Sequence, residues 1–318
     1  MKIYTLTANP CLDIFLEVPR LVSEDINRVT AVRKDAGGKG INVIRVLKIL
    51  GIKGLALGII GGESGSWIEN RLKKEEIRSH FFPIPGEIRT IYNIKQTGTN
   101  QTFRLNEPGP RITSKTLLRF QRFLLSFPYP KGSFFAICGT APPGIPVDFY
   151  GHLIDRLKKR GIKTVLDCDD PFLSKGIDAN PEIIKPNLFE LSRLVKKRLK
   201  NEEEILNAAF QFVQKGIKLV VVSMAANGAL AVTEKEAFYA QPPPVKVRSP
   251  IGAGDAFLAG LLAKLAQKEN LSEALRTAVA AGSASVLYPG TSCGSLADIN
   301  TIYRKVKVRK LSPSRGIR

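Results

Sequence analysis

Two glycine-rich segments carry the residues best suited to chemistry in this 318-residue sequence. In Ile251-Gly252-Ala253-Gly254-Asp255-Ala256-Phe257-Leu258-Ala259-Gly260, two glycines precede an unusually apolar helical stretch. Glycine lets the backbone turn sharply with its N–H groups uncovered, and the helix that follows adds its positive end, so the turn attracts an anion. Asp255 stands in that turn, where Ser or Thr would cap a helix equally well. A carboxylate beside a phosphate cradle can accept the proton of an attacking hydroxyl, and phosphoryl transfer otherwise asks for positioning and charge neutralisation. The plain alternative is an ordinary helix cap. The second segment, Gly37-Gly38-Lys39-Gly40-Ile41-Asn42, opens another helix. Asn42 can donate and accept hydrogen bonds, as sugar hydroxyls require, although a tight turn with a capping Asn accounts for it as well.

Other chemistries find little support. No GxxxxGK[ST] occurs, Gly38-Lys39-Gly40 lacks the Ser or Thr that would hold magnesium, and Phe257 stands where a dinucleotide fingerprint needs its third glycine. His80 and His152 are the only histidines, too few for a multi-histidine metal centre and poor support for a Ser-His-Asp hydrolase. Cys11, Cys138, Cys168 and Cys293 are widely spaced without a CxxC pair, which argues for a reducing compartment, the cytoplasm. There is no signal-peptide pattern at Met1, and the most apolar runs are too short to span a membrane.

The elements that must position these residues follow from apolar periodicity. Strands are predicted over 2–7, 55–60, 134–138, 164–167 and 219–223, alternating with helices over 41–50, 67–76, 147–160, 188–197 and 202–215. Gly51, Gly161 and Gly216 supply helix stops. The order is that of βαβ units around a mostly parallel sheet. Residues 14–34 and 89–106 depart from it, the latter alternating like half-buried strands, and are read as a small added sheet that could serve as lid or dimer contact.

The two glycine segments together resemble the paired signatures of the ribokinase-like pfkB carbohydrate kinases. Further segments resemble that family in the same order: Thr7-Ala8-Asn9-Pro10-Cys11-Leu12-Asp13, Gly139-Thr140-Ala141-Pro142-Pro143-Gly144, Lys185-Pro186-Asn187-Leu188-Phe189-Glu190, and the loop from Ser223 to Gly228. The resemblance covers the chain to about Tyr303. It implies a three-layer α/β/α sandwich with a β-sheet lid as one kinase domain over 1–303, leaving a basic tail at 304–318. It also implies Asp255 as general base and Gly252, Ala253 and Gly254 as an anion hole. Asp13, Gly38, Lys39, Asn42 and Thr140 would then bind the sugar, while Lys185, Asn187, Glu190, Ser223, Gly228 and Ser249 would serve ATP. Magnesium would have no direct protein ligand and would be organised by Asn187 and Glu190 through water. Two departures stand out: Ala225 replaces a usual Gly, and Ser249-Pro250 precedes the anion hole in the manner of the hexose-phosphate branch.

A phosphorylated acceptor needs fixed cations, and Arg binds phosphate oxygens bidentately. The resemblance points to Arg89 and Arg104, with Arg28 a weaker candidate, and to a ketohexose phosphate: fructose 1-phosphate first, then tagatose 6-phosphate or fructose 6-phosphate. A kinase of an unphosphorylated sugar or nucleoside is the enzymatic alternative. The formal charge of +20 raises nucleic-acid binding as a different class. The basic residues fall mainly in solvated helical runs and the tail, and the complete kinase set argues against that class. A homodimer through the lid sheet is also expected from the resemblance.

Overall fold

Short Val-, Ile- and Leu-rich runs with no polar face form strands buried on both sides, the signature of a sheet covered by helices above and below. The computed structural model describes residues 1–99, 101–290 and 293–311. Its main sheet begins with β1 (Ile3–Thr7), and the chain then makes β2 (Cys11–Val18) and β3 (Ala31–Gly37) of a second, smaller sheet. Next come β4 (Gly54–Ile60) and β5 (Ser79–Pro83) of the main sheet, then β6 (Arg89–Gln96) and β7 (Thr102–Asn106) of the small one. The remaining strands, β8 (Phe134–Cys138), β9 (Lys163–Asp167), β10 (Ile183–Ile184), β11 (Leu219–Ser223), β12 (Ala229–Val232), β13 (Ala237–Gln241) and β14 (Lys307–Leu311), complete the main sheet. Its order is β14-β13-β12-β11-β10-β9-β8-β1-β4-β5, parallel from β11 to β5 and antiparallel from β11 to β14.

The helices are α1 (Lys39–Ile49), α2 (Gly62–Lys74), α3 (Ser114–Ser126), α4 (Phe149–Lys159), α5 (Phe172–Ile177), α6 (Leu188–Leu194), α7 (Glu202–Gln214), α8 (Ala253–Ala266), α9 (Leu271–Ser285) and α10 (Leu296–Tyr303). They divide into two layers with separate cores. Phe134, Ala136 and Cys138 of β8 face the core shared with α1, α2, α8, α9 and α10, while Phe135 and Ile137 face that shared with α3, α4 and α7. Helix α8 is buried almost all round, as its lack of a polar face requires.

The expected lid segments do form one four-stranded sheet, β3-β2-β6-β7. Its two faces differ in chemistry. The registers put Asp13, Asp35, Asn93 and Arg104 on one face together with Phe15 and Ile91, and Ile14, Leu16, Val32, Tyr92, Ile94, Phe103 and Leu105 on the other together with Lys34. Val32, Phe103 and Leu105 are exposed.

Three boundaries differ from the sequence expectation. The first half of the small sheet, β2 and β3, runs from Cys11 to Gly37 rather than 14–34, so Asp13 lies inside it and the glycine pair joins it directly to α1. Helix α2 begins at Gly62 rather than Trp67. The expected tail from 304 is not a tail throughout, because Lys307–Leu311 pairs antiparallel with β13 as the sheet's outermost strand. The rest of that stretch, 312–318, lies outside the described residues.

Candidate active site

The carboxyl ends of the parallel strands collect the polar residues, where open α/β sheets bind ligands. Thr7 ends β1, Asp167 ends β9, Lys185 follows β10 and Ser223 ends β11. Against this edge stands the start of α8. Gly252 takes the left-handed conformation at φ 81° as its N-cap, and Asp255 follows in the first turn. The N–H groups of Ala253 and Asp255 already donate to Pro250 O at 3.3 Å and Gly252 O at 3.1 Å. Those of Gly252 and Gly254 have no partner among the described residues, so two of the three expected amides are open to an anion.

Asp255 is buried, and its Oδ2 accepts a 2.8 Å hydrogen bond from Asn42 Nδ2. The orientation of that amide is settled by a neighbour, since Asn42 Oδ1 accepts from Arg45 Nη1 at 3.0 Å. Arg45 is held in turn by Ala36 O at 2.7 Å and Glu75 at 2.7 Å. Burial pushes the Asp255 carboxyl up to about 6, against the pull of the Lys39 ammonium and of the Asn42 hydrogen bond. A second buried carboxylate, Asp167, organises the cations: Lys39 Nζ and Lys185 Nζ each lie 3.2 Å from its Oδ1. The Asp167 charge is the chief reason Lys39 is held firmly protonated. Lys185 also borders the α8 turn, with its Nζ 3.7 Å from where a side chain would start at Gly254.

On the small-sheet side, Asp13 is buried, and burial raises its carboxyl to about 6 against the pull of Arg104 and Arg89. Gly37 leaves it room, for a Cβ there would fall 2.2 Å from Asp13 Oδ2. Arg89 opens β6 with its Nε and Nη2 donating to Asn9 O at 3.2 and 3.0 Å. Arg104 is exposed on β7. Thr140 is half-buried beside Gly139, whose N–H donates to Asp167 O at 2.8 Å. Arg28 is not drawn into this cluster: it is exposed between β2 and β3, with no hydrogen bond or ion pair among the described residues.

Asn187 and Glu190 form a reciprocal capping box on α6, each side chain accepting from the other's N–H at 2.8 Å. The box occupies Asn187 Oδ1 and Glu190 Oε2. Glu190 Oε1 takes no part in it, and burial raises this carboxyl above its usual range, a cost that a hydrated cation would offset. The pair therefore fits the expected arrangement of magnesium through water. No cluster of three or more His, Cys, Asp or Glu among the described residues could hold a metal directly. Ser223 pairs with Asn187 in an isolated parallel bridge, joining the β11 loop to α6. Ala225 adopts φ 51°, a left-handed geometry that favours the Gly expected there, so the substitution keeps the loop shape at some local strain. Ser249 is buried, donates to Gly290 O at 3.4 Å and accepts from Ile251 N–H at 3.2 Å, bracing the α8 turn.

Sequence reasoning missed Arg45, Asp167 and Asn9. Arg45 sits one turn from Asn42 on the same helical face, and Asp167 is a carboxylate ending an apolar strand. Those two signals were available.

A buried carboxylate beside open amides at a helix start, along the carboxyl edge of a parallel sheet with a small accessory sheet, is an arrangement suited to phosphoryl transfer, as in a ribokinase-like kinase. The chain belongs to the pfkB family of carbohydrate kinases, whose family model matches residues 6–297. It is similar to phosphofructokinase-2 from Escherichia coli solved in complex with fructose-6-phosphate, at 32% identity over 96% of this chain and 98% of that one, with a TM-score of 0.89. The same enzyme has been solved as a tetrameric inhibited form. A Thermotoga maritima protein described as a possible 1-phosphofructokinase shares the fold at 23% identity, covering 98% of this chain and 100% of that one, with a TM-score of 0.84. Ribokinase from Thermotoga maritima shares it at 18% identity, covering 95% and 99%, with a TM-score of 0.75.

Proposed function

We propose that this chain transfers the γ-phosphoryl group of ATP to a hydroxyl of a ketohexose phosphate, in the cytoplasm and as a homodimer. The acceptor hydroxyl gives its proton to Asp255 as its oxygen bonds to the γ-phosphorus, and the bond from that phosphorus to the β–γ bridging oxygen breaks. Asn42 occupies Asp255 Oδ2, which leaves Oδ1 to face the hydroxyl. The open Gly252 and Gly254 amides, the α8 dipole and the Lys185 ammonium meet the charge on the transferring group. Asn187 and Glu190 would hold magnesium through water, and the ion would supply neutralisation of the ATP phosphates when bound.

The acceptor's own phosphate is assigned to Arg89 and Arg104, both of which act on Asp13. Likeness at 32% identity to an enzyme crystallised with fructose-6-phosphate moves fructose 6-phosphate ahead of fructose 1-phosphate, the first expectation from sequence. Both acceptors give fructose 1,6-bisphosphate.

The observation that carries this reading is the buried Asp255 held by Asn42 beside open helix-start amides. The test is a panel of fructose 6-phosphate, fructose 1-phosphate, tagatose 6-phosphate and free sugars, assayed with ATP and magnesium. Turnover should favour a ketohexose phosphate, and Asp255→Ala should lower kcat by roughly 10²–10⁴-fold, the range general-base catalysis supplies. Exclusive turnover of free sugars, or near-normal kcat in the variant, would overturn the proposal.

A further inference from the structure

Between β1 and β2 the chain passes through Asn9, a buried residue that neither a cap nor a strand pairing explains. Its backbone oxygen receives the Arg89 fork through Nε and Nη2. Its Nδ2 donates to Pro108 O at 3.1 Å across 99 residues of sequence. Its Oδ1 has no hydrogen-bond partner among the described residues and lies against Gly109, where a Cβ would fall 2.4 Å away.

The segment gripped in this way is the strap that leaves β7. Thr90 N–H donates to Glu107 Oε2 at 2.7 Å, and Glu107 N–H donates to Thr90 O at 3.3 Å, so the strap is tied down next to Arg89 as well. Strand β7 is an edge strand whose five residues are all exposed, and Arg104 lies two positions before its end. Such a strand has little burial to fix its position. The ties at Asn9 and Thr90 supply what burial does not.

We infer that Asn9 is a positioning residue for the acceptor's phosphate: its carbonyl sets Arg89 and its side-chain amide sets the strap behind Arg104, so one residue fixes the gap between the two guanidinium groups. This rests on the phosphorylated-acceptor reading. Two cations bind a phosphate well only when both guanidinium groups reach its oxygens together, Arg89 through the N–H groups that the Asn9 carbonyl leaves free, and the spacing therefore decides affinity for a sugar phosphate. Lys185, Asn187 and Glu190, proposed to serve ATP, make no hydrogen bond or ion pair with Asn9 or with 107–110 among the described residues.

Asn9→Ala keeps the backbone carbonyl and cuts only the tie to the strap. Steady-state kinetics of the full-length enzyme should show KM for the ketohexose phosphate raised about tenfold, the equivalent of one hydrogen bond's contribution, with kcat and KM for ATP within about threefold of wild type. Gly109→Ala places a Cβ against the Asn9 side chain and pushes the same strap away from it, and should reproduce the pattern. Thermal melts establish which variants are folded, and if Asn9→Ala is not, Gly109→Ala decides by the same criteria. An unmoved sugar-phosphate KM in a folded variant, or a loss confined to kcat, overturns the inference. A wild-type enzyme that turns over no ketohexose phosphate defeats instead the functional reading beneath it.

Discussion

As the proposed general base, Asp255 must sit buried beside the phosphoryl-binding turn, yet be ionised to take the proton of the acceptor hydroxyl. Its carboxyl at about 6 meets both demands near neutral pH. The active form is the carboxylate, so kcat/KM should be full above that value and fall about tenfold per pH unit below it. Asp13, also near 6, would steepen the fall if it too must be ionised to hold the sugar. Lys39 draws the Asp255 value down directly, and it also neutralises Asp167, whose charge draws it up. Removing the ammonium acts in one direction through both routes. Lys39→Ala should therefore move the acid limb of the pH–rate profile upward, whatever it does to the plateau. A limb that stays in place or moves to lower pH would mean that another group controls it. Gly252 to Asp255 and Asn42 stood out as candidates in the sequence because glycines opening a helix limit what a turn can do, whereas Asp13, inside β2, was reached only through the resemblance. Arg45 and Asp167 act through other side chains, so the sequence offered only a helical spacing and a strand end, and three-dimensional contact gave those signals their meaning.

At the scale of elements, the start of α8 is only as fixed as the helix behind it, and that helix is fixed by α9. Gly260 lies where the two helices approach most closely, since a Cβ there would fall 2.7 Å from Thr277 O and 2.9 Å from Ala278 Cα. Backbone offers no rotamer through which to give way. Gly260→Ala should thus destabilise the fold by about 1–3 kcal/mol as overpacking, despite the helix propensity that alanine adds. Urea denaturation checks this, and an unchanged midpoint would show that the helices part at no cost. Periodicity placed β8 and β11 at their observed bounds, because buried parallel strands are continuous apolar runs between turns. It passed over β12, a four-residue strand, and β14, whose Lys307, Arg309 and Lys310 are the charges an edge strand carries against further pairing. The same charges made 307–311 resemble a solvated tail.

For the whole molecule, the charge of +20 and the uncovered apolar face of the small sheet make different demands. Part of the charge is paired at the surface, as in Arg193–Asp169, Lys197–Glu204 and Arg309–Glu202, and part is assigned to the site by the proposed function through Lys39, Lys185, Arg89 and Arg104. The small sheet has no such balance. Its site-facing side carries Asp13, Asp35, Asn93 and Arg104, so the side that a free-standing sheet would keep polar is the apolar one. Val22, Ile26 and Val29 in the connecting loop are exposed beside it, Ile26 at 76%. A patch of this kind marks a protein contact, and a second copy of the chain offers a matching apolar face. Static light scattering at micromolar concentration should give about twice the 34.9 kDa of one chain. Phe103→Asp combined with Ile26→Asp should return the mass to one chain by placing unpaired carboxylates in the contact. A wild-type mass of a single chain, or a double variant that still assembles, would mean that this face is covered in some other way.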